Sequence, residues 1–144
     1  IDDSAGVIEL LDSILSHDYD VSFATHGAEG LALARRFPAD LILLDVMMPE
    51  MDGFEVCRQL RGHEMTREIP IVFLTSLASP SEEELGLKLG ADDFIAKPIS
   101  PPVLRARVHN HLQFAQSKRA LRRHAWASAC TRTRRKAWAK WTTS

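Results

Sequence analysis

Leu41-Ile42-Leu43-Leu44-Asp45-Val46-Met47-Met48-Pro49-Glu50-Met51-Asp52-Gly53 is the stretch whose reading decides the fold. Four aliphatic residues in succession are too few for a buried helix and predict a strand covered on both faces. The run ends on a carboxylate, and Pro49 and Gly53 then turn the chain out of the strand into a loop. An Asp at the carboxyl end of a buried parallel strand stands where open α/β sheets place their chemistry.

Downstream, Phe54, Val56, Cys57 and Leu60 predict a helix ending near Arg61-Gly62. Ile69 to Thr75 reads as a second buried strand closing on a polar side chain. Ser79-Pro80-Ser81 followed by three glutamates starts a helix with an N-cap, an early Pro and first-turn acids, and Gly90 ends it. Asp92 to Pro98 is a short strand ending on Lys97. A last helix after Pro102 carries Val103, Leu104, Val108, Leu112 and Phe114 on one face. Upstream, Val7, Ile8, Leu11, Ile14 and Leu15 predict a helix from about Ala5 to Ser16. Val21 and Phe23 predict a short strand over 20–25, and a helix from about Ala28 to Arg36 is stopped by Pro38.

Strands alternating with helices at this rhythm give a parallel sheet wrapped on both sides, with every strand's carboxyl end on one edge. Asp45, Thr75 and Lys97 each close a different strand and should converge there. Asp2 and Asp3 join them if a strand precedes them. Only Ile1 of that opening strand is present, so most of it is expected to lie upstream or to be supplied by another chain. We read Asp45 as a nucleophile that accepts a phosphoryl group.

Composition agrees with a single domain plus an appendage: 144 residues, 45% hydrophobic and 26% charged. No apolar run is long enough to span a membrane. Cys57 and Cys130 form no CxxC or Cys/His pattern, which predicts a reduced cytoplasmic compartment. Charge is unevenly spread. Residues 1–116 hold all 19 acids and nine of the 18 Lys and Arg, whereas 117–144 hold the other nine and no acid. We expect a domain over 1–116 and, over 117–144, a basic helical extension or linker that is solvated rather than anion-binding.

Asp2-Asp3, Asp45 with Met48-Pro49 and Asp52-Gly53, Thr75, and Lys97-Pro98 together resemble the receiver domain of bacterial two-component response regulators. The likeness covers residues 1 to about 115. It implies a flavodoxin-like (βα)5 doubly wound sheet of order 2-1-3-4-5. It also implies phosphorelay signal transduction: transfer from the phosphohistidine of a sensor histidine kinase or phosphotransfer protein to Asp45, assisted by Mg²⁺. By the same resemblance, Asp3, Asp45 and the Met47 backbone carbonyl are metal ligands and Asp2 acts through water. Lys97 and the Thr75 hydroxyl contact the phosphoryl oxygens. Thr75 and Phe94 form the switch, read out on the face of the fourth helix, fifth strand and fifth helix by an output domain, a partner or a second copy. Such a chain is a phosphoacceptor with self-catalysed transfer and slow autodephosphorylation rather than a turnover enzyme.

Blander readings compete with these. Asp2-Asp3 also suit an N-cap, and Asp52 is read as a cap rather than a ligand. Phe94 is core whether or not it switches. His109 and His111, at i and i+2, do not share a helical face, so no zinc site is read. A haloacid-dehalogenase-type phosphatase needs an acid two positions after its nucleophile, where this chain has Met47. The remaining alternatives are a non-phosphorylated interaction module and nucleic-acid binding through the basic tail. Met47 and Leu77, both apolar, would leave a hydrolytic water unoriented and predict a long-lived phosphorylated state.

Overall fold

The computed structural model describes residues 1–76 and 79–127. Leu77 and the tail beyond 127, with Cys130, Trp138 and Trp141, lie outside the described residues.

The elements run α1 (Ala5–Leu15), α2 (Gly27–Arg36), β1 (Ile42–Asp45), α3 (Gly53–Gly62), β2 (Ile71–Thr75), α4 (Pro80–Lys88), β3 (Asp93–Ala96) and α5 (Pro101–Ala127). The three strands form a parallel sheet of order β1-β2-β3. Caps fix the helix starts, at Asp52 and Ser79 as the sequence foretells and at Ser4 rather than Asp2-Asp3 for α1. Ser4, Asp52 and Ser79 accept from the N–H groups of Val7, Glu55 and Glu82. His26 does the same for α2 through its ring, accepting from Glu29 N–H. β2 begins two residues later than expected because Pro70 has no N–H to give a ladder. Gly90, after α4, has φ +98° and takes the left-handed conformation that ends the helix.

Side chains alternate across the sheet into two apolar layers. Ile42, Leu44, Ile71 and Phe73 face α2 and α3, packing on Leu31, Val56, Cys57 and Leu60. Val72, Leu74 and Ile95 face α1 and α5, packing on Leu11, Ile14, Leu104 and Val108. Burial on both faces is what the unbroken aliphatic runs require.

The stretch 20–25, expected as a strand, forms no ladder. Its neighbour toward the sheet is Ile1-Asp2 alone, and the pair shares one backbone bond, from Asp2 N–H to the Ala24 carbonyl at 3.1 Å. Ile1 in turn lies against β1: its nitrogen donates to the Leu43 carbonyl at 2.6 Å, and Asp45 N–H donates to its carbonyl at 2.9 Å. Spatial order therefore runs from residues 21–24 through Ile1 to β1, β2 and β3, which is the 2-1-3-4-5 order. Beside the outer edge of β1 is an apolar cavity of about 310 Å³, lined by Leu11, Leu15, Val21, Leu41, Leu43 and Val108 among others. α5 continues without a break through residue 116, so the start of the basic extension is a helical continuation of the domain's last element.

Candidate functional site

The register carries the chemistry to one edge. Asp45 pairs with Leu74, and Thr75 pairs with Ala96, so the ends of β1, β2 and β3 step across the sheet. Lys97 follows directly, its N–H bonded to the Thr75 carbonyl at 2.8 Å, and its peptide to Pro98 is cis. Asp2 reaches the same edge because Ile1 and Asp2 are held between Ala24 and β1.

The loop after β1 is folded back tightly. Gly53 N–H donates to the Val46 carbonyl at 2.8 Å, and a Cβ on Gly53 would run into the Asp45 carbonyl oxygen. Only glycine permits that approach. Glu50 turns the loop at φ +68°. Asp52 is spent on capping α3, as its sequence context foretells.

Asp2, Asp3 and Asp45 each bring a carboxylate oxygen within 4.8 Å of the others. Asp2 and Asp45 are buried and Asp3 is exposed. Lys97 Nζ stands 3.2 Å from Asp2 Oδ2 and 3.2 Å from Asp45 Oδ1. The other Asp2 oxygen accepts from Ser4 N–H at 2.8 Å, and Met47 N–H approaches Asp45 Oδ1 at 3.4 Å. Burial and the charge of Asp2 push the Asp45 carboxyl above its usual range, and Lys97 and the Met47 N–H oppose this only in part. Burial alone would lower the Lys97 ammonium, but bonds to and charges on Asp2 and Asp45 outweigh it and hold the lysine above its usual value. Three carboxylates against one ammonium leave the pocket short of positive charge. The donors are all hard oxygens, a set suited to a small divalent cation.

Thr75 is buried at the end of β2. Phe94 is half-buried, its ring centroid 5.4 Å from that of Phe73, which lies 5.3 Å from Phe54 at the start of α3. The structure thus gathers Asp2, Asp3, Asp45, Thr75 and Lys97 at one edge and sets Phe94 beside α4. Met47 is 59% exposed at the mouth.

Sequence reasoning missed three side chains that brace the far ends of β2 and β3. Arg61 donates to the carbonyls of Gly90, Arg67 and Ile69 and to Asp92 Oδ2, which also accepts from Ile71 N–H. Asp93 receives Arg107 through both oxygens and His111 Nε2 at 3.0 Å. The adjacent acids Asp92-Asp93 were the available signal, since carboxylates at a strand start need partners.

The comparisons agree with this geometry. The family model of the response regulator receiver domain matches residues 1–109. A probable cyclic di-GMP phosphodiesterase of Vibrio cholerae is 42% identical over 118 residues, covering 82% of this chain and 27% of that protein. Response regulator PleD of Caulobacter vibrioides is 45% identical over 115 residues, covering 79% and 25%. The solved receiver domain of a Pseudomonas aeruginosa sensor histidine kinase, with magnesium coordinated in its active-site cleft, superimposes with a TM-score of 0.73 at 27% identity, covering 78% of this chain and 93% of that one. The chain belongs to the response regulator receiver domain family, and its fold is the flavodoxin-like one. Receiver domains carry phosphorelay signals in two-component systems, bind Mg²⁺ in an acidic pocket and interact with histidine kinases and output domains. The chain spans about a quarter of the length of these curated relatives. No described helix is long and apolar enough to cross a membrane.

Proposed function

We propose that Asp45 is the phosphoacceptor of this receiver and that Asp2, Asp3, Thr75 and Lys97 serve its transfer reaction. The observation that carries this reading is Asp45 itself: a buried carboxylate at a strand end, with an acid pair on one side and an ammonium on the other. One Asp45 oxygen attacks the phosphorus of a kinase phosphohistidine. The new P–O bond forms as the P–N bond breaks, and the freed imidazole nitrogen takes up a proton. Transfer of this kind depends on positioning and charge neutralisation more than on proton chemistry.

Asp3, Asp45 and the Met47 carbonyl would hold Mg²⁺, which when bound supplies positive charge to the transferred phosphoryl oxygens. Asp2 fits a role through water, because its two oxygens are already engaged by Ser4 N–H and Lys97. Lys97 is released from its carboxylates to pair with a phosphoryl oxygen, and Thr75 donates its hydroxyl to another. Phe94 then settles against the space behind Thr75, and the outer faces of β3, α4 and α5 present the result to an output domain or partner. The kinase, the output and a cytoplasmic location are parts of the same proposal.

Intact mass after treatment with Mg²⁺ and acetyl phosphate tests the reading. We expect a gain of one phosphoryl group that is absent in Asp45→Asn. A gain that persists in that variant moves the acceptor elsewhere and overturns the assignment.

A further inference from the structure

α4 is the element least anchored in the fold. Of its nine residues Gly86 alone is buried, while Leu85 and Leu87 on either side of it are 45% and 57% exposed. The buried glycine meets the Phe94 ring. A Cβ at position 86 would run into Phe94 Cζ, and it would lie 3.2 Å from Phe94 Cε2 and 3.3 Å from Phe73 Cε2. Ordinary helical positions have room for a methyl group, and a glycine inside a helix costs about 1 kcal/mol relative to alanine. Here the missing side chain forms a notch that the aromatic ring fills.

We propose that Gly86 is the positioning residue that keys α4 to Phe94: the ring seats in the Gly86 notch, and α4 moves when the ring moves. This rests on the reading of Phe94 as the switch aromatic. Two observations converge on it. The ring spans the gap between α4 and the sheet, and with no other α4 residue buried, only the capping residue Leu89 packs on the core if the ring leaves. The stack from Phe94 through Phe73 to Phe54 also ties the notch to the start of α3, directly after the Asp45 loop. A change at Asp45 and a change in the outward display of Leu85 and Leu87 are therefore linked through this row of three rings and one missing methyl group.

The test compares wild type, Gly86→Ala, Phe94→Leu and the double variant in the whole chain. Two readouts are used: amide hydrogen exchange across residues 80–88 without phosphodonor, and the rate of mass gain with Mg²⁺ and acetyl phosphate. Gly86→Ala should expel the ring, speed exchange across α4 and slow phosphorylation by at least about five-fold, a modest population shift for a two-state element. Phe94→Leu removes the atoms in collision, so in both readouts the double variant should return to within about two-fold of Phe94→Leu alone. A merely structural contact would change exchange in Gly86→Ala and leave the phosphorylation rate where it was, which would overturn the coupling. Should Gly86→Ala fail to fold, Phe94→Ala empties the notch from the other side and should also speed exchange across α4. Unchanged exchange in Gly86→Ala, or a double variant as perturbed as Gly86→Ala, overturns the proposal. A wild-type chain that takes no phosphoryl group refutes the phosphoacceptor reading, while the exchange data still decide the packing claim on their own.

Discussion

Lys97 Nζ lies 3.2 Å from Asp45 Oδ1 and equally far from Asp2 Oδ2, so one ammonium bridges two buried carboxylates. The bridge supplies positive charge to two acids that are both buried. On the reading proposed above it also sets a competition, because an incoming divalent cation and Lys97 would neutralise the same cluster of carboxylates.

Replacing Lys97 by Ala should separate these two roles. The two buried acids lose their counter-charge, at a cost of about 1–3 kcal/mol in metal-free protein. Added Mg²⁺ should then raise the melting temperature by more in Lys97→Ala than in wild type, since the cation replaces the missing charge. Phosphorylation by acetyl phosphate should nevertheless fall by about 100-fold, the usual loss when one preorganised donor to a transferring group is removed. Differential scanning fluorimetry with a Mg²⁺ titration checks the first point. An equal Mg²⁺ shift in both proteins would remove the competition argument.

Asp45→Asn should stabilise the fold at neutral pH. Folding raises the Asp45 pKa, so it is the ionised form that the folded state disfavours. That penalty is fully present above the raised folded value. It disappears as pH falls through that value to the usual 3.8, below which folded and unfolded chains are both protonated. An isosteric amide carries no such penalty. For a domain of this size a gain of roughly 1 kcal/mol is about 3–4 °C in melting temperature. The gain should be present at pH 7 and vanish below the usual carboxylate range. A lower melting temperature for Asp45→Asn at pH 7 would mean that the Lys97 pair outweighs the burial of the charge.

Arg61→Ala should be among the most damaging substitutions away from the site. Its guanidinium, with a side chain only 20% exposed, binds three backbone carbonyls and Asp92, joining α3 to the starts of β2 and β3. Removing it leaves those acceptors without their donor, at a cost of about 2–4 kcal/mol. Asp92→Ala also loses the bond to Ile71 N–H, and the two changes should be strongly non-additive. Urea denaturation of both single variants and the double variant measures the coupling, and strict additivity would contradict the shared network.

Most residues that were legible in the sequence share one property: they stand at or next to the end of an element. Asp45 and Thr75 close strands, Lys97 follows one directly, and Ser79 and Asp52 open helices, so local pattern located them. The segment 20–25 alternates correctly, but a strand exists only where a partner supplies a ladder, and Ile1-Asp2 gives it a single backbone bond. Arg61 and Asp92 lie 31 positions apart, beyond any local pattern. Gly86 reads in sequence as a weak point in a helix. Its use becomes visible only when Phe94, on another element, is placed against it.

Met47 governs how long the phosphorylated state lasts, on the reading proposed above. It stands two residues after Asp45, is 59% exposed at the mouth of the pocket, and sends its N–H toward Asp45 Oδ1. A water attacking the phosphoaspartate from this side meets a thioether that neither donates nor strongly accepts a hydrogen bond. Without a polar group to orient it, that water has little advantage over bulk solvent, and hydrolysis stays slow. Met47→Asn supplies an amide that both donates and accepts at the same point. Because the side chain is exposed, the exchange should leave stability within about 0.5 kcal/mol. The phosphorylated lifetime, followed by loss of the added mass after the phosphodonor is removed, should shorten by roughly ten-fold, in keeping with a positioned polar partner. A wild-type half-life of seconds, or a Met47→Asn lifetime equal to wild type, would show that this side chain does not set the clock.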